Sequence, residues 1–241
     1  MSRSWEKFSD NEAAKLQVVA NGETKEQEIA KKLTFVLGDS APFLGFNTVY
    51  ALHSPSLSHE FHISLTSTAE KMKTLGASYF VEDWENFLPE KKKIQAAFQV
   101  KVKKAPSNAD GKPSVIPAYF SSSTEDAWRI CGSGFTKSHM IQGNFGFGLY
   151  LTTDLQHCPK NEGIVVVMVN VGNVHPVVES PNGEFSLENK APRPSHNSYY
   201  ALVNSGTLGG SLPYDGEGTA TDELIIFDES RVLPMFFLQS N

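Results

Sequence analysis

Two places in this chain carry residue types that can do chemistry. Tyr150 closes the run Gly146-Phe147-Gly148-Leu149-Tyr150, so a flat aromatic ring stands beside two residues that lack a Cβ. Such a ring offers a stacking surface, and the glycines let backbone come close to a ligand. The other reading is a core tyrosine in a strand with glycines at a bulge. Glu223 opens the apolar run Glu223-Leu224-Ile225-Ile226-Phe227-Asp228. A carboxylate fixed at the start of a strand can stabilise developing positive charge, or it can be a solvated acid in the turn that enters the strand.

Other patterns exclude more than they suggest. His59-Glu60-Phe61-His62 places two imidazoles three residues apart without a third ligand in a recognisable pattern, and Cys131 and Cys158 have no zinc spacing, so no metal is expected. Two cysteines make no disulfide framework, which suits a reducing compartment. A Ser-His-Asp hydrolase needs a Gly-x-Ser-x-Gly elbow, whereas Gly132-Ser133-Gly134 sits at a helix end.

In their order along the chain, these segments resemble the catalytic domain of the poly(ADP-ribose) polymerase branch of the ADP-ribosyltransferases. The resemblance spans residues 114–239. In that family a helix closes on Gly-Phe, matched by Gly134-Phe135; a Gly-x-Gly-x-Tyr strand follows, matched by residues 146–150; and a Glu opens a late strand, matched by Glu223. The resemblance implies an α+β fold, with an ADP-ribosyltransferase-like split antiparallel β-sheet core and a helical N-terminal extension. It implies a mono-ADP-ribosyltransferase that moves ADP-ribose from NAD to a macromolecular acceptor, a protein, and releases nicotinamide.

Such a reaction breaks a glycosidic bond through an oxocarbenium-like transition state, and the resemblance gives its stabilisation to Glu223. Tyr150 would stack on nicotinamide, with Gly146 and Gly148 shaping the NAD site. Counting back from Gly134 by the family's spacing lands on Phe120, so the family's His-Tyr-Glu signature reads Phe120, Tyr150, Glu223. A phenyl ring has no donor for the adenosine ribose. Ser121 and Ser122 replace the Gly-Thr/Ser that follows the family's His. Cys158 and Asn161 take the places of a Ser and a second aromatic, and Cys158 would offer the nicotinamide amide a weak donor. Family members without the His are weak, mono-transferring or inactive, so single-unit transfer is expected and polymer is not. Two alternatives stay open: a catalytically silent binding module for protein or nucleic acid, and an NAD glycohydrolase with water as acceptor.

The Gly/Ser/Thr-rich residues 205–221 precede Glu223. In the family this loop meets the acceptor, which makes Tyr214, Asp215 and Glu217 candidates for choosing it; the alternative is a strand connection with no role. Thr221 stands where arginine-specific toxin-like relatives carry a second Glu, which speaks against arginine as acceptor.

These side chains need elements to position them. At 241 residues and 40% hydrophobic, the chain can bury a full core. The reading is an extension over residues 1–105 and a catalytic domain over 106–241, with the turn-rich residues 106–113 as boundary. Capping-box patterns at Ser9/Glu12 and Thr24/Gln27, and an apolar stripe of Ile29, Leu33, Val36 and Leu37, predict helices over residues 1–38. Alternation of Phe98, Val100 and Val102 predicts a strand. Residues 124–133 read as a helix capped by Ser123 or Thr124 and stopped at Gly132 or Gly134. Strands are expected over residues 115–120, 145–152, 164–171, 174–178, 223–228 and 232–238. Among them, residues 163–170 are apolar at consecutive positions and predict a central strand buried on both faces. A net charge of −6 argues against a nucleic-acid surface across the whole molecule, and Lys91-Lys92-Lys93 reads as a solvated face. The N-terminus lacks the apolar segment of a secretory signal, so no membrane contact and a cytoplasmic or nuclear location are expected.

Overall fold

The computed structural model describes residues 15–18, 48–75, 89–105, 115–158, 163–181 and 186–239. The chain folds as α+β around two five-stranded sheets. The first has the order β1 (Lys15–Val18), β2 (Thr48–His53), β10 (Val232–Gln239), β6 (Gly163–Asn170), β3 (Val115–Ser122). The second has the order β4 (Ile141–Gly143), β5 (Gly146–Leu151), β9 (Ala220–Ile226), β8 (Ser198–Asn204), β7 (Val174–Pro176). All pairings are antiparallel except that of β7 with β8. The sheets are stitched where Tyr119 and Thr152 exchange both backbone hydrogen bonds, at 2.7 and 3.1 Å. Among the described residues three α-helices accompany them: α1 (Pro55–Leu75), α2 (Pro89–Lys104) and α3 (Thr124–Ser133).

Strand β6 is buried at every position, as its unbroken apolar run predicts. Val165, Val167 and Val169 enter the core between the sheets, together with Leu149, Leu151, Leu224 and Ile226 of the second sheet. Ile164, Val166 and Met168 point the other way, toward Phe61 of α1. That split is the two-residue period of a strand. Helix α3 forms where its local signals place it. The Ser123 side chain accepts from Asp126 N, Ala127, Ile130 and Cys131 are buried one turn apart, and Gly134 ends the helix at φ 78°.

Two expectations are corrected. Residues 98–102 lie inside α2 and not in a strand. The alternation was accidental: Ile94, Ala97, Phe98 and Val102 form a helical stripe on the core, while Val100 is 48% exposed. Of the predicted N-terminal helices, Lys15–Val18 is a strand that pairs with β2, because an open sheet edge satisfies its backbone whatever the local propensity. The remaining helical signals before residue 39, and the boundary at residues 106–113, lie outside the described residues. From the segment expected as an extension, β2 pairs with β10, while Phe61 of α1 and Phe98 of α2 enter the two faces' cores. Among the described residues no helix is long and apolar enough to cross a membrane.

Helix α1 is pinned by polar groups as well as by Phe61. Asn170 donates to Ser64 Oγ at 3.1 Å and to Thr68 Oγ1 at 3.0 Å, and Arg231 donates to the same Thr68 oxygen. Phe61, Ser64 and Thr68 fall on one helical face by their spacing.

Candidate functional site

Strands β5 and β9 bring Tyr150 and Glu223 together. Tyr150 lies opposite Ile225 in the register, and Glu223 is two residues along β9, so both side chains leave the same face of the second sheet. Both are buried, at 2% and 0% exposure. Glu223 Oε1 accepts from Gly209 N at 3.0 Å, whereas Oε2 has no hydrogen-bond partner among the described residues. Leaving a carboxylate oxygen dry and unpaired is costly, and in native structures such a group marks strain, function or a missing ligand.

Tyr150 is held at both ends. Its hydroxyl donates to Gly146 O at 2.8 Å and accepts from Phe145 N at 3.0 Å, which fixes the turn between β4 and β5. Burial pushes its phenol well above the ordinary range, the Phe145 N–H opposes that rise, and the nearby Glu223 charge adds to it. The ring is covered by main chain: a Cβ on Gly143 would come within 2.5 Å of Tyr150 Cζ, and one on Gly209 within 3.6 Å of Cγ. Gly209 itself has φ 82°. The space beside Gly146 and Gly148, expected to admit ligand, is filled by protein. A Cβ on Gly148 would lie 2.5 Å from Ile225 Cγ2, and one on Gly146 3.2 Å from Leu187 O.

Phe120 sits near the end of β3, half-buried against the core between the sheets. Its ring meets Phe135 edge-on at 5.2 Å and His139 at 6.4 Å. Ser121 and Ser122 follow it, half-buried, with Ser122 Oγ donating to Ser123 O. Cys158 is buried beside Tyr119 and Ile164. Asn161 lies outside the described residues.

The loop before β9 divides its candidates. Asp215 accepts from Glu217 N in a local turn. Tyr214 donates to Gly218 O and carries Lys93 Nζ 4.9 Å above its ring. Glu217 lines an open cavity of about 480 Å³, whose wall also includes Asp154, His157, Asn204 and Thr221. Among the described residues, His157 Nε2, Asn204 Oδ1 and Thr221 Oγ1 are buried without hydrogen-bond partners. His157 Nε2 is 4.0 Å from Glu223 Oε1, beyond hydrogen-bonding reach. His157, Asn204 and Thr221 all line the cavity, but these particular atoms are shielded from solvent, and Glu223 is not among the lining residues.

Sequence reasoning missed His157 and the neighbour of Glu223, Asp222. The Asp222 carboxylate is 2% exposed and accepts from Thr152 Oγ1, Thr153 N, Thr153 Oγ1 and Tyr200 OH, with Lys101 Nζ 3.4 Å away. It ties α2 and the end of β5 to β8 and β9, directly behind Glu223. The one local signal for His157 is the turn that carries it: Asp154 Oδ1 accepts from Gln156 N to open the short helix Leu155–His157. His59 and His62 lie on α1. No group of three His, Cys, Asp or Glu side chains suited to a metal forms among the described residues. No protein-family model matches this chain, and no curated protein matches it in sequence.

Proposed function

We propose that this chain is a mono-ADP-ribosyltransferase, which moves ADP-ribose from NAD to a macromolecular acceptor and releases nicotinamide. The observation that carries this reading is the pairing of Tyr150 and Glu223 on one face of β5 and β9, with Glu223 Oε2 unpartnered. An acceptor-only carboxylate oxygen in a dry site answers the need of an oxocarbenium-like sugar, through its positive charge or a ribose hydroxyl. The two sheets stitched at Tyr119 and Thr152 are in keeping with the split sheet of an ADP-ribosyltransferase-like fold. In this reading Tyr150 stacks on nicotinamide once residues 205–212 swing aside and take Gly209 off the ring.

A second reading, a catalytically silent binding module, has its own observation. The backbone at Gly209 lies close to the Tyr150 ring, and Phe120 is packed against Phe135 where a donor to the ribose would be needed. Isothermal titration of the full chain with NAD, alongside chromatographic detection of nicotinamide, separates the two. Binding with nicotinamide release supports the transferase; no heat of binding and no release rejects it and leaves the binding module.

A further inference from the structure

One side of α1 borders a second open cavity, of about 420 Å³. It follows a single stripe of that helix, Glu60, Ile63, Ser67 and Lys71, and its wall is completed by Asn197 and by the short helix Glu229–Arg231. From Glu60 to Lys71 is about 16 Å of helix, too long a groove for one small ion. Arg231 is the unusual group in its wall. The residue is 5% exposed, and burial pulls its guanidinium below the ordinary value while the Asp228 charge opposes that fall. Its Nη1 donates to Thr68 Oγ1 at 3.2 Å and to Asn170 O at 3.3 Å. The Asp228 carboxylate is 3.9 Å from Nε and already accepts from Ser230 N and Ser230 Oγ. Nη2 donates to nothing among the described residues, yet unlike His157 Nε2 it is not sealed from solvent. A buried guanidinium compensated this loosely suits an anionic partner.

The bond to Thr68 fixes the level of that guanidinium along α1. Ser67 is the adjacent residue, and Lys71, exposed and without an ion-pair partner among the described residues, follows within one turn. Asn197 uses its Oδ1 to accept from Asn173 N, which leaves its Nδ2 as a further donor. Donors therefore gather at one end of the groove. Glu60, also exposed, stands about 12 Å toward the start of the helix, and Ile63, 56% exposed, lies between the two ends. We propose that this groove binds an extended segment of a partner protein, with an acidic side chain for Arg231 and Lys71, an apolar one over Ile63 and a basic one for Glu60. Side chains that leave one face of an extended chain are two residues apart, so an acid, an apolar residue and a base at alternate positions span about 13 Å, the length of the groove between its charged ends. Nucleic acid or a lipid surface would bring several phosphates to a wall that also holds Glu60 and Asp228, on a chain of net charge −6. Neither Tyr150 nor Glu223 lines this groove, so its occupant is independent of the reaction proposed above.

The test titrates a capped pentapeptide, Glu-Thr-Leu-Thr-Lys, to millimolar concentration into the isotope-labelled full chain and follows it by NMR. The amide signals of Ser67 and Lys71 and the side-chain Nε–H signal of Arg231 are expected to shift and to saturate. Replacing the peptide's Glu by Gln is expected to weaken binding about tenfold or more, the worth of a hydrogen bond to a charged group. Lys71→Glu changes an exposed side chain and leaves the fold intact. That variant is expected to bind the first peptide about fivefold more weakly, and to bind Lys-Thr-Leu-Thr-Lys more tightly than the parent protein does. No saturable shift, or equal affinity for the Glu and Gln peptides, overturns the groove as a site for an acidic segment. Unchanged affinity in Lys71→Glu does the same for the charge pairing. Sodium acetate that shifts the same signals as tightly as the peptide overturns the protein segment as occupant and leaves a small-anion site.

Discussion

Gly209 donates its backbone N–H to Glu223 Oε1 at 3.0 Å, and a Cβ added to it would lie 3.6 Å from Tyr150 Cγ. One loop residue thus stands next to both groups at the centre of the proposed chemistry. Its carbonyl accepts from Asn144 N at 2.8 Å, which ties it to the β4–β5 turn. On the proposed reading, a ligand that reaches Glu223 would have to displace Gly209, and its binding would include the cost of undoing these two hydrogen bonds.

Glu223→Gln keeps the acceptor oxygen that meets Gly209 and loses only the charge. The variant is expected to melt near the parent's temperature and to release nicotinamide about 10²- to 10³-fold more slowly, the usual worth of one electrostatic contact to a transition state. Equal turnover in the two proteins would remove Glu223 from the mechanism.

Tyr150→Phe separates the stacking role of the ring from the structural role of its hydroxyl. Phe145 N and Gly146 O lose their partner in a buried turn, at a cost of about 1 to 3 kcal/mol in stability. The ring remains, so NAD affinity by titration is expected to stay within a few-fold. A large loss of affinity at unchanged stability would contradict the stacking assignment.

Phe120→His restores the donor that the family pattern places on β3. The new imidazole would stand beside Phe135 and His139 in a half-buried position. NAD is expected to tighten by about 0.5 to 1.5 kcal/mol, one net hydrogen bond. A lower melting point with no gain in affinity would show that position 120 serves packing alone.

Acid stability is expected to depend on Glu179. Burial works against its charge, but the His175 imidazole at 3.1 Å and the backbone N–H groups of Glu179 and Val178 hold its carboxyl down at about 2, and the Arg193 guanidinium also donates to it at 2.6 Å. The folded value is below the ordinary 4.5 of a glutamate, so the stabilisation is complete above pH 4.5 and drains as pH falls toward 2. The loss is on the order of 1 to 3 kcal/mol, measured by urea unfolding across that window. In Glu179→Gln the same window should be flatter, and an unchanged slope would move the acid-labile group elsewhere.

The sequence by itself determined the features whose causes are local. Strand β6 follows from its unbroken apolar run, since only a strand covered on both faces can use one. Helix α3 follows from a Ser123 cap, apolar residues at helical spacing and a Gly134 stop, all within one short segment. The α+β class follows from the order of such segments, and Tyr150 and Glu223 stood out as a ring among glycines and an acid ahead of an apolar run, although the strand begins at Ala220 and Glu223 lies inside it. What those two face was decided by the tertiary structure. Gly209 over Tyr150, His157 beside Glu223 and the five donors around Asp222 depend on the register of β5, β8 and β9 and on where loops return, which no local pattern encodes. Phe98 shows the same limit: its spacing fits a strand or a helix, and the core it meets beside Tyr200 made it helical. The polar cavity that His157 and Glu217 help to line, drawn from two distant parts of the chain, exists only because the fold brings those parts together.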